Sequence, residues 1–487
     1  MTSSITLDGN SLTAAQVTAL ARRSVRARVD PAARERMRRA RATAEEVAAR
    51  RRVYGHTTGV GSNRSTDLPE QAADDHGMRL LRSHSGGVGP LVPVEETRAM
   101  LAVRLNQILG AGSALSPEVA DRLADALASG HVPVVHALGS VGTADLSALA
   151  ELGLALAGEQ PWRRARHGAD GGGDGAEPVP LALDRWDALP LMSSSALTIG
   201  QAALAHTDLT ALLDRFPLVA ALSLAAVRGS AEPYAAIVHA RRPHPGAMRT
   251  AARMRALLEP LPWTPQLIQD PFGFRCLPQV HGAALDAAAA LAQVLDVEIN
   301  SAAENPLLAL APADYPPHRG FHQASLALAL DQVRRAVLGT AQLSAARLGV
   351  LVSPASTGLA PYLAQDEDGS SGIMITEYAA ASAIAELRGA AQPVTLGHAV
   401  LSRGVEEHAS FAATGARRLL EAVASARLVL ACELLAATRA LRMRGTLLDQ
   451  TGELGRFQRR AAAALPPGTE DRKLTADIES AEALLAD

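Results

Sequence analysis

Six short segments contain residue types that can exchange protons or bind anions, and four of them also contain glycines, which loops need. They are 54–61 (YGHTTGVG), 81–89 (LRSHSGGVG), 139–146 (GSVGTADL), 269–280 (QDPFGFRCLPQV), 298–307 (EINSAAENPL) and 405–411 (VEEHASF). None of them follows a helical or strand period. Loops of such specific composition between long helices usually hold a site rather than a core. The sequence therefore predicts a functional site built from loops.

The stretches that must position these loops are rich in Ala and Leu and poor in β-branched residues. Residues 411–441 place leucines at helical spacings, and 428–437 carry one charge, which predicts a helix buried on several sides. Similar stretches lie at 283–297, 324–348 and 201–213. No stretch alternates long enough to indicate a substantial sheet. The predicted fold is mainly α, built around a long central helical bundle.

We expect three successive parts: 1–180, a smaller and loop-rich N-terminal part; 181–450, the central helical bundle; and 451–487, a C-terminal helical tail. The glycine-rich stretch 168–175 reads as a flexible surface loop. Residues 366–372 (DEDGSSG) lack the ligand spacing and the closing Glu of a calcium-binding EF-hand. His318 and His322 are four residues apart, but no third ligand is evident, so no metal site is predicted.

Composition excludes several function classes. Aromatic residues make up 3% of the 487 and the net charge is −3, which argues against a nucleic-acid partner. Lys473 is the one lysine, so Schiff-base chemistry would depend on a single residue near the C-terminus. Cys276 and Cys432 are expected to be buried free thiols. Charged or polar residues interrupt the apolar runs, and no secretory signal is seen, so we expect a cytoplasmic protein without a membrane partner.

Taken in this order, the six segments resemble those of the aromatic amino acid lyases, which include histidine and phenylalanine ammonia-lyases. The resemblance runs from about Leu7 to about Leu441. It implies a mostly helical subunit of the ammonia-lyase type and a homotetramer whose active sites draw loops from three subunits. It also implies elimination of ammonia from an α-amino acid. The family's electrophile is a methylidene-imidazolone ring, which forms by cyclisation of an internal Ala-Ser-Gly.

The resemblance also implies roles for individual residues. Tyr54 matches the base that removes the β-proton, and Arg275 matches the residue that binds the substrate carboxylate. The positions that match the side-chain end of the pocket are His84, Gln269, Phe321 and Glu406; of these we expect His84 and Glu406 to act in catalysis with Tyr54. His56 replaces the usual aliphatic residue. It is either an added acid or base in the substrate site or an exposed loop histidine.

Three positions depart from the family pattern. Between Gly142 and Asp145 the chain has only Thr143 and Ala144, so the serine and glycine that form the ring are missing. Phe272 replaces the tyrosine of Gln-Asp-Pro-Tyr and lacks its hydroxyl, while remaining in the substrate site. The family's Asn-Gly-Thr corresponds to 193–195, where Ser193 is a candidate substrate contact. The sequence therefore predicts a degenerate electrophile position at Thr143, Ala144 and Asp145, and no cofactor.

A base and a carboxylate-binding arginine without the electrophile predict a changed reaction. A carbon–nitrogen lyase could eliminate an amine that departs more easily than ammonia, as in the electrophile-free ergothionase-like branch, or add an amine to an unsaturated acid. The partner would be a small, amino-acid-like zwitterion. The alternative is a catalytically inactive homologue that serves as a binding or assembly subunit. A third possibility is an unrelated reaction, on which the sequence is silent.

Overall fold

The computed structural model describes residues 3–69, 73–164, 176–259, 263–365 and 369–486. The helices are α1 (Ala14–Ala21), α2 (Pro31–Ala48), α3 (Ala73–His84), α4 (Val94–Leu109), α5 (Pro117–Ser129), α6 (Leu146–Leu156), α7 (Ala188–Met192), α8 (Ala196–Ala226), α9 (Ala236–Ala240), α10 (Pro245–Leu258), α11 (Phe272–Arg275), α12 (Leu277–Ile299), α13 (Ala324–Leu351), α14 (Pro354–Thr357), α15 (Ile375–Ala390), α16 (Ala412–Met443), α17 (Glu453–Ala464) and α18 (Thr475–Ala486). The mainly α prediction is confirmed. Two predicted segments fall wholly or partly outside the described residues. They are the loop at 168–175 and, within the segment 366–372, residues 366–368.

Strands are short and occur in pairs. They are β1 (Ser4–Leu7), β2 (Arg26–Val29), β3 (Val88–Leu91), β4 (His131–Pro133), β5 (His136–Leu138), β6 (Trp162–Arg164), β7 (Ala309–Leu310) and β8 (Ala313–Asp314). β1 pairs with β2 in parallel, in register from Ser4 with Arg26 to Leu7 with Val29. The pairs β3–β5, β4–β6 and β7–β8 are antiparallel. In the described ranges, no sheet has more than two strands.

The chain forms two compact units, each built from three separate segments. Unit 1 comprises Met1–Thr207, Ala292–Leu330 and Pro393–Arg417, and unit 2 comprises Asp208–Leu291, Asp331–Gln392 and Arg418–Asp487. The four long helices α8, α12, α13 and α16 each contribute residues to both units. This division into units differs from the three successive parts predicted from the sequence, 1–180, 181–450 and 451–487. The reason is that each of the four long helices belongs partly to one unit and partly to the other.

The core of unit 1 surrounds α4, which is buried from Thr97 to Leu109. Arg104 lies in this core and is fully buried, so its charge needs partners. Nη1 of Arg104 pairs with Oε1 of Glu304 at 2.9 Å, while Nη2 and Nε donate to the carbonyls of Pro190 and Leu191. One buried guanidinium thus fixes both the end of α7 and the segment that follows α12.

Unit 2 is also organised by a buried ion pair. Nε of Arg347 on α13 lies 2.6 Å from Oε1 of Glu433 on α16. Ser223 and Ser344 donate their hydroxyls to the same carboxylate at 2.7 Å and 2.6 Å. The surrounding stretch 429–441 is buried throughout, which confirms the predicted all-round burial of this part of α16.

Two apolar segments are long enough to cross a membrane by length and composition alone. The most apolar part of 188–226 is 78% buried within the structure, as in the core helix of a soluble protein, and that of α12 is 39% buried. The cysteines of the described ranges are free; Cys432 is buried as expected, whereas Cys276 is only half-buried. Burial raises the pKa of the Cys432 thiol to about 12, so it stays protonated.

Candidate active site

A cavity of about 440 Å³ in unit 1 brings six of the predicted site residues together. Those that line it are Tyr54, His84, Thr143, Ser193, Phe321 and Glu406. They come from six different loops and helix ends, which are distant in sequence. The tertiary fold of unit 1 therefore converts separate motifs into one pocket, in which polar and apolar side chains are mixed.

The Tyr54 loop depends on two glycines. Gly55 and Gly61 have φ of +74° and +56°, a region that residues with a Cβ seldom adopt. A Cβ on Gly55 would also lie 2.0 Å from Cδ2 of Leu189. The turn lets the backbone N–H of Gly61 donate to the hydroxyl oxygen of Tyr54 at 2.9 Å. The loop thus holds the phenol oxygen in place at the cavity wall.

The 139–146 segment turns tightly against the residues that follow Glu406. Gly142 has φ of +85°, and a Cβ there would lie 2.0 Å from Oγ of Ser410. The Ser410 hydroxyl donates to the Gly142 carbonyl at 3.0 Å, and the Phe411 N–H donates to the Val141 carbonyl at 2.8 Å. This turn directs Thr143 into the cavity, where its hydroxyl donates to Oε2 of Glu406 at 3.2 Å.

Ala144 and Asp145 lie behind the cavity lining. Ala144 packs in a buried cluster with Ala303 and Phe321. Asp145 is fully buried and accepts hydrogen bonds from the N–H and the hydroxyl of Thr198 at 2.8 Å and 2.9 Å. Burial raises the pKa of the Asp145 carboxyl above its ordinary value. These two residues support the turn and are not exposed to a ligand in the cavity.

The three consecutive serines are all engaged within unit 1. Ser193 donates to the Leu189 carbonyl at 2.9 Å. Ser194 donates to the side chain of Gln107 at 2.6 Å, and Ser195 donates to the Phe321 carbonyl at 2.9 Å. Because each hydroxyl proton is already used, Ser193, which lines the cavity, can offer a ligand its oxygen as an acceptor.

His84 ends α3 at the cavity. Its Nδ1 lies 2.8 Å from the Leu80 carbonyl, and since a carbonyl only accepts, Nδ1 must carry the proton. A neutral His84 then has Nε2 as an acceptor. A pair of histidines lies close to Glu406 as well. Nε2 of His322 is 3.1 Å from Nδ1 of His408, and His322 forms an isolated backbone bridge with Thr143.

The structure does not bring His56 to this cavity. His56 is 3% exposed, so the interpretation as an exposed loop histidine is wrong. Its ring packs between Trp186 and Tyr315, with centroids 4.6 Å and 5.6 Å away, and lines a different cavity with Arg185. Burial lowers the pKa of His56 to about 4, so the ring is neutral at pH 7. The turn at Gly55 sends this side chain into the core of unit 1.

Three predicted substrate contacts belong to unit 2 and do not line the cavity of unit 1. Gln269 and Phe272 are exposed, and Phe272 retains 64% of its accessible surface. The Arg275 guanidinium lies 4.6 Å from the centre of the Phe272 ring, and its Nε donates to the Asp270 carbonyl at 2.7 Å. The carboxylate of Asp270 accepts the Ser230 N–H at 2.7 Å. Arg275 is thus held in a defined local arrangement.

Sequence reasoning missed several polar residues of the lining. They are Ser62, Asn63, Ser83, Asn305, Arg319 and Ser402. Asn305 lies inside one of the six motifs and Arg319 lies two residues before Phe321, so proximity to a predicted residue was the available signal. Ser402 had no such signal, because the contact between the 61–63 and 402–404 turns is purely tertiary.

Among the residues that the structure describes, no three His, Cys, Asp or Glu side chains are arranged to hold a metal ion. Both ring nitrogens of His318 have hydrogen-bond partners within the protein. Nδ1 accepts the Gly320 N–H at 2.8 Å, and Nε2 donates to the Glu304 carbonyl at 2.5 Å.

Comparison with known proteins agrees with this architecture. The sequence profile of the family "Aromatic amino acid lyase" matches residues 12–465. A histidine ammonia-lyase from Anaeromyxobacter sp. (strain K) is 35% identical over 500 residues, which cover 98% of each chain.

Solved structures show the same fold. Tyrosine aminomutase from Streptomyces globisporus superposes with a TM-score of 0.91 at 27% identity, covering 99% of this chain and 96% of that one. An ergothionase from Treponema denticola has a TM-score of 0.88 at 24% identity, covering 99% and 98%, and at that identity the likeness concerns the fold alone. With matches over nearly its whole length, this chain belongs to the aromatic amino acid lyase family, a family of carbon–nitrogen lyases and aminomutases.

Proposed function

We propose that this chain is a carbon–nitrogen lyase that acts without the methylidene-imidazolone electrophile. It eliminates an amine that leaves more easily than ammonia from a small carboxylate-bearing substrate, or adds an amine to the unsaturated acid in the reverse direction. The observation that carries the proposal is Thr143, whose hydroxyl donates to Glu406 in the cavity at the position where the family forms its electrophile.

The residues at this position do not fit the prosthetic group. The ring needs a serine that loses water and a glycine whose amide nitrogen closes the cycle. Between Gly142 and Asp145 there are only Thr143 and Ala144, so the segment is one residue short. Ala144 packs against Ala303 and Phe321, and its neighbour Asp145 is held by Thr198. These contacts support a turn that has its own stable packing in place of the ring.

The proposed reaction needs a base and an amine site. In its deprotonated form Tyr54 takes the β-proton on its phenolate oxygen, which the Gly61 N–H holds at the cavity wall, and becomes a neutral phenol. The electron pair of the broken C–H bond forms the carbon–carbon double bond, and the amine departs with the electrons of the C–N bond. A quaternary ammonium group carries a permanent positive charge and leaves as a neutral tertiary amine with no proton transfer to nitrogen, so covalent capture is not needed. Glu406 can balance the positive charge of the bound amine, and His84 can contact it through Nε2.

The proposal includes a cytoplasmic homotetramer in which Arg275 of one subunit serves the cavity of another. Arg275 lies in unit 2, while the cavity is lined entirely by residues of unit 1. The exposed Phe272 beside Arg275 and the apolar, 39% buried α12 support association, since isolated subunits would leave this surface in water.

The decisive experiment identifies ligands by thermal shift with a panel of amino-acid betaines and α,β-unsaturated acids, and then measures turnover with them. We expect amine release to accompany growth of the conjugated-acid absorbance. Tyr54→Phe should abolish most of this signal while the ligand still raises the melting temperature. If the wild type binds ligands but neither releases nor adds an amine, the binding-subunit alternative replaces the lyase proposal.

A further inference from the structure

Arg319 is a positively charged residue of the cavity lining. None of the described carboxylates forms an ion pair with it. It lines the same cavity as Tyr54, Thr143 and Glu406, and its side chain is exposed to that space. Its guanidinium donates through Nη1 to the His318 carbonyl at 3.2 Å, and within the described ranges no carboxylate forms an ion pair with it. Arginine has five N–H donors, so most of them remain available to a ligand.

The backbone before and after Arg319 is fixed by hydrogen bonds. The His318 N–H donates to Oδ1 of Asn305 at 2.7 Å, and the His318 ring bridges the Gly320 N–H and the Glu304 carbonyl. Glu304 is itself buried. A Cβ on Gly320 would lie 2.6 Å from Cε1 of His318, so this compact turn requires glycine.

The following residues are equally well held. Phe321 is buried against Ala144, and its carbonyl accepts the Ser195 hydroxyl at 2.9 Å. The backbone of His322 bridges that of Thr143. The Arg319 guanidinium lies 5.9 Å from the centre of the Phe321 ring, a distance at which cation and ring attract each other. The side chain of Arg319 thus projects from a rigid turn. Other residues hold this turn in place, and the positive charge of Arg319 is not needed for it.

The charges of the lining are few and of both signs. Glu406 is the one carboxylate and Arg319 the one arginine among the described residues that line this cavity. Glu406 accepts the Thr143 hydroxyl, whereas Arg319 has no acidic partner. An arginine that faces a cavity and has no protein counter-ion is suited to bind an anionic group of a ligand through two parallel hydrogen bonds.

We propose that Arg319 binds an anionic group of the substrate in addition to the carboxylate assigned to Arg275. The substrate would then be an amino acid or betaine with an acidic side chain, and its unsaturated product a dicarboxylic acid. This inference rests on the proposed function, because it takes the bound ligand to be the substrate of the proposed reaction. The contacts that carry it, however, concern binding alone, so it can be tested without turnover.

The test compares dissociation constants of two diacids, fumarate and trans-glutaconate, with that of the monoacid crotonate. We expect the wild type to bind at least one diacid about 10- to 100-fold more tightly than crotonate, as a charge-assisted contact predicts. Arg319→Gln should remove this preference without altering crotonate binding, and Arg319→Lys should restore part of it. Arg275→Gln should weaken diacids and monoacid alike.

Arg50→Gln is the matched control, because Arg50 is highly exposed and does not line the cavity. It should leave every constant unchanged. The proposal is overturned if the wild type shows no diacid preference, including the case in which none of the three acids binds. It is also overturned if Arg319→Gln leaves the preference intact or weakens crotonate equally. A diacid preference without any amine chemistry would instead defeat the proposed lyase function and leave the assignment of Arg319 standing.

Discussion

Substitution of Tyr54 and substitution of Arg275 should impair different steps, the chemical step and ligand binding respectively. Tyr54→Phe keeps the ring but removes the proton acceptor, so we expect the rate of the chemical step to fall by about 10²–10⁴ with little change in ligand affinity. Arg275→Lys keeps the charge but loses the planar fork, and should mainly weaken binding, by about 1.5–3 kcal/mol. Single-turnover kinetics and thermal shift separate the two. Equal losses of rate and affinity in both variants would contradict these roles.

The buried His56 should make unfolding sensitive to acid. Its folded-state pKa of about 4 lies below the ordinary value of 6.5, because burial disfavours the charged ring. Between these two values the unfolded chain binds more protons than the folded chain, so stability falls as pH drops through this window. The loss approaches about 3 kcal/mol near pH 4.

His56→Phe keeps an aromatic ring between Trp186 and Tyr315 and should flatten the pH dependence of the melting temperature between pH 7 and pH 4. His281, whose pKa burial lowers to about 3, contributes a similar slope that remains in this variant. The exposed His398 provides the control, since His398→Gln should leave the profile unchanged. An unchanged profile in His56→Phe would mean that other groups dominate acid unfolding.

The sequence predicted which side chains form the site better than it predicted which groups surround each of them. Motif resemblance selected Tyr54, His84 and Glu406, and all three line one cavity. It could not assign His56, because whether a side chain next to a positive-φ glycine faces the cavity or the core depends on the turn. Arg319 was missed for a related reason: its importance comes from the absence of an acidic partner among the described residues, which a sequence does not reveal.

At the scale of elements, the 139–146 turn should be a stable structural feature rather than a precursor of a prosthetic group. Because the serine and glycine of the ring are missing, intact-protein mass should equal that of the unmodified chain. The near-ultraviolet absorbance of the ring should also be absent. A loss of water that maps to Thr143 would contradict this.

The same turn should tolerate no side chain at Gly142. Gly142→Ala would combine a φ of +85° with a Cβ placed 2.0 Å from Oγ of Ser410, so we expect destabilisation of about 1–3 kcal/mol. Gly389 in α15 is the control, because a Cβ there meets nothing within 4 Å. Gly389→Ala should be neutral or stabilising by up to about 1 kcal/mol. Chemical denaturation measures both, and similar effects would refute the steric argument.

Helix content was predictable because long Ala- and Leu-rich stretches leave few other ways to bury apolar surface. The burial of 429–441, for example, follows from its nearly uncharged composition. The division into units was not predictable. The boundary between the units falls within α8, α12, α13 and α16. The spacing of apolar residues along a helix does not change at this boundary, so the sequence gives no sign of it.

At the scale of the whole molecule, the placement of Arg275 leads to the sharpest test. Tyr54 and Glu406 line one cavity of unit 1, whereas Arg275 belongs to unit 2 and is absent from that lining. If the active site forms only between subunits, light scattering should show a tetramer of the 50.6 kDa chain and no stable monomer. A stable, active monomer would eliminate the composite site.

Co-expression of two impaired variants, one defective in the chemical step and one in ligand binding, tests the same idea through turnover at subsaturating substrate. Hybrids of Tyr54→Phe and Arg275→Gln chains should regain up to about a quarter of wild-type turnover, because random assembly pairs an intact Tyr54 with an intact Arg275 at that frequency. The matched control joins Tyr54→Phe with Glu406→Gln. These two residues line the cavity of a single unit, so every chain carries one damaged cavity and no hybrid can restore activity. Recovery in the control pair, or none in the first pair, would show that Arg275 does not complete the site of a neighbouring subunit.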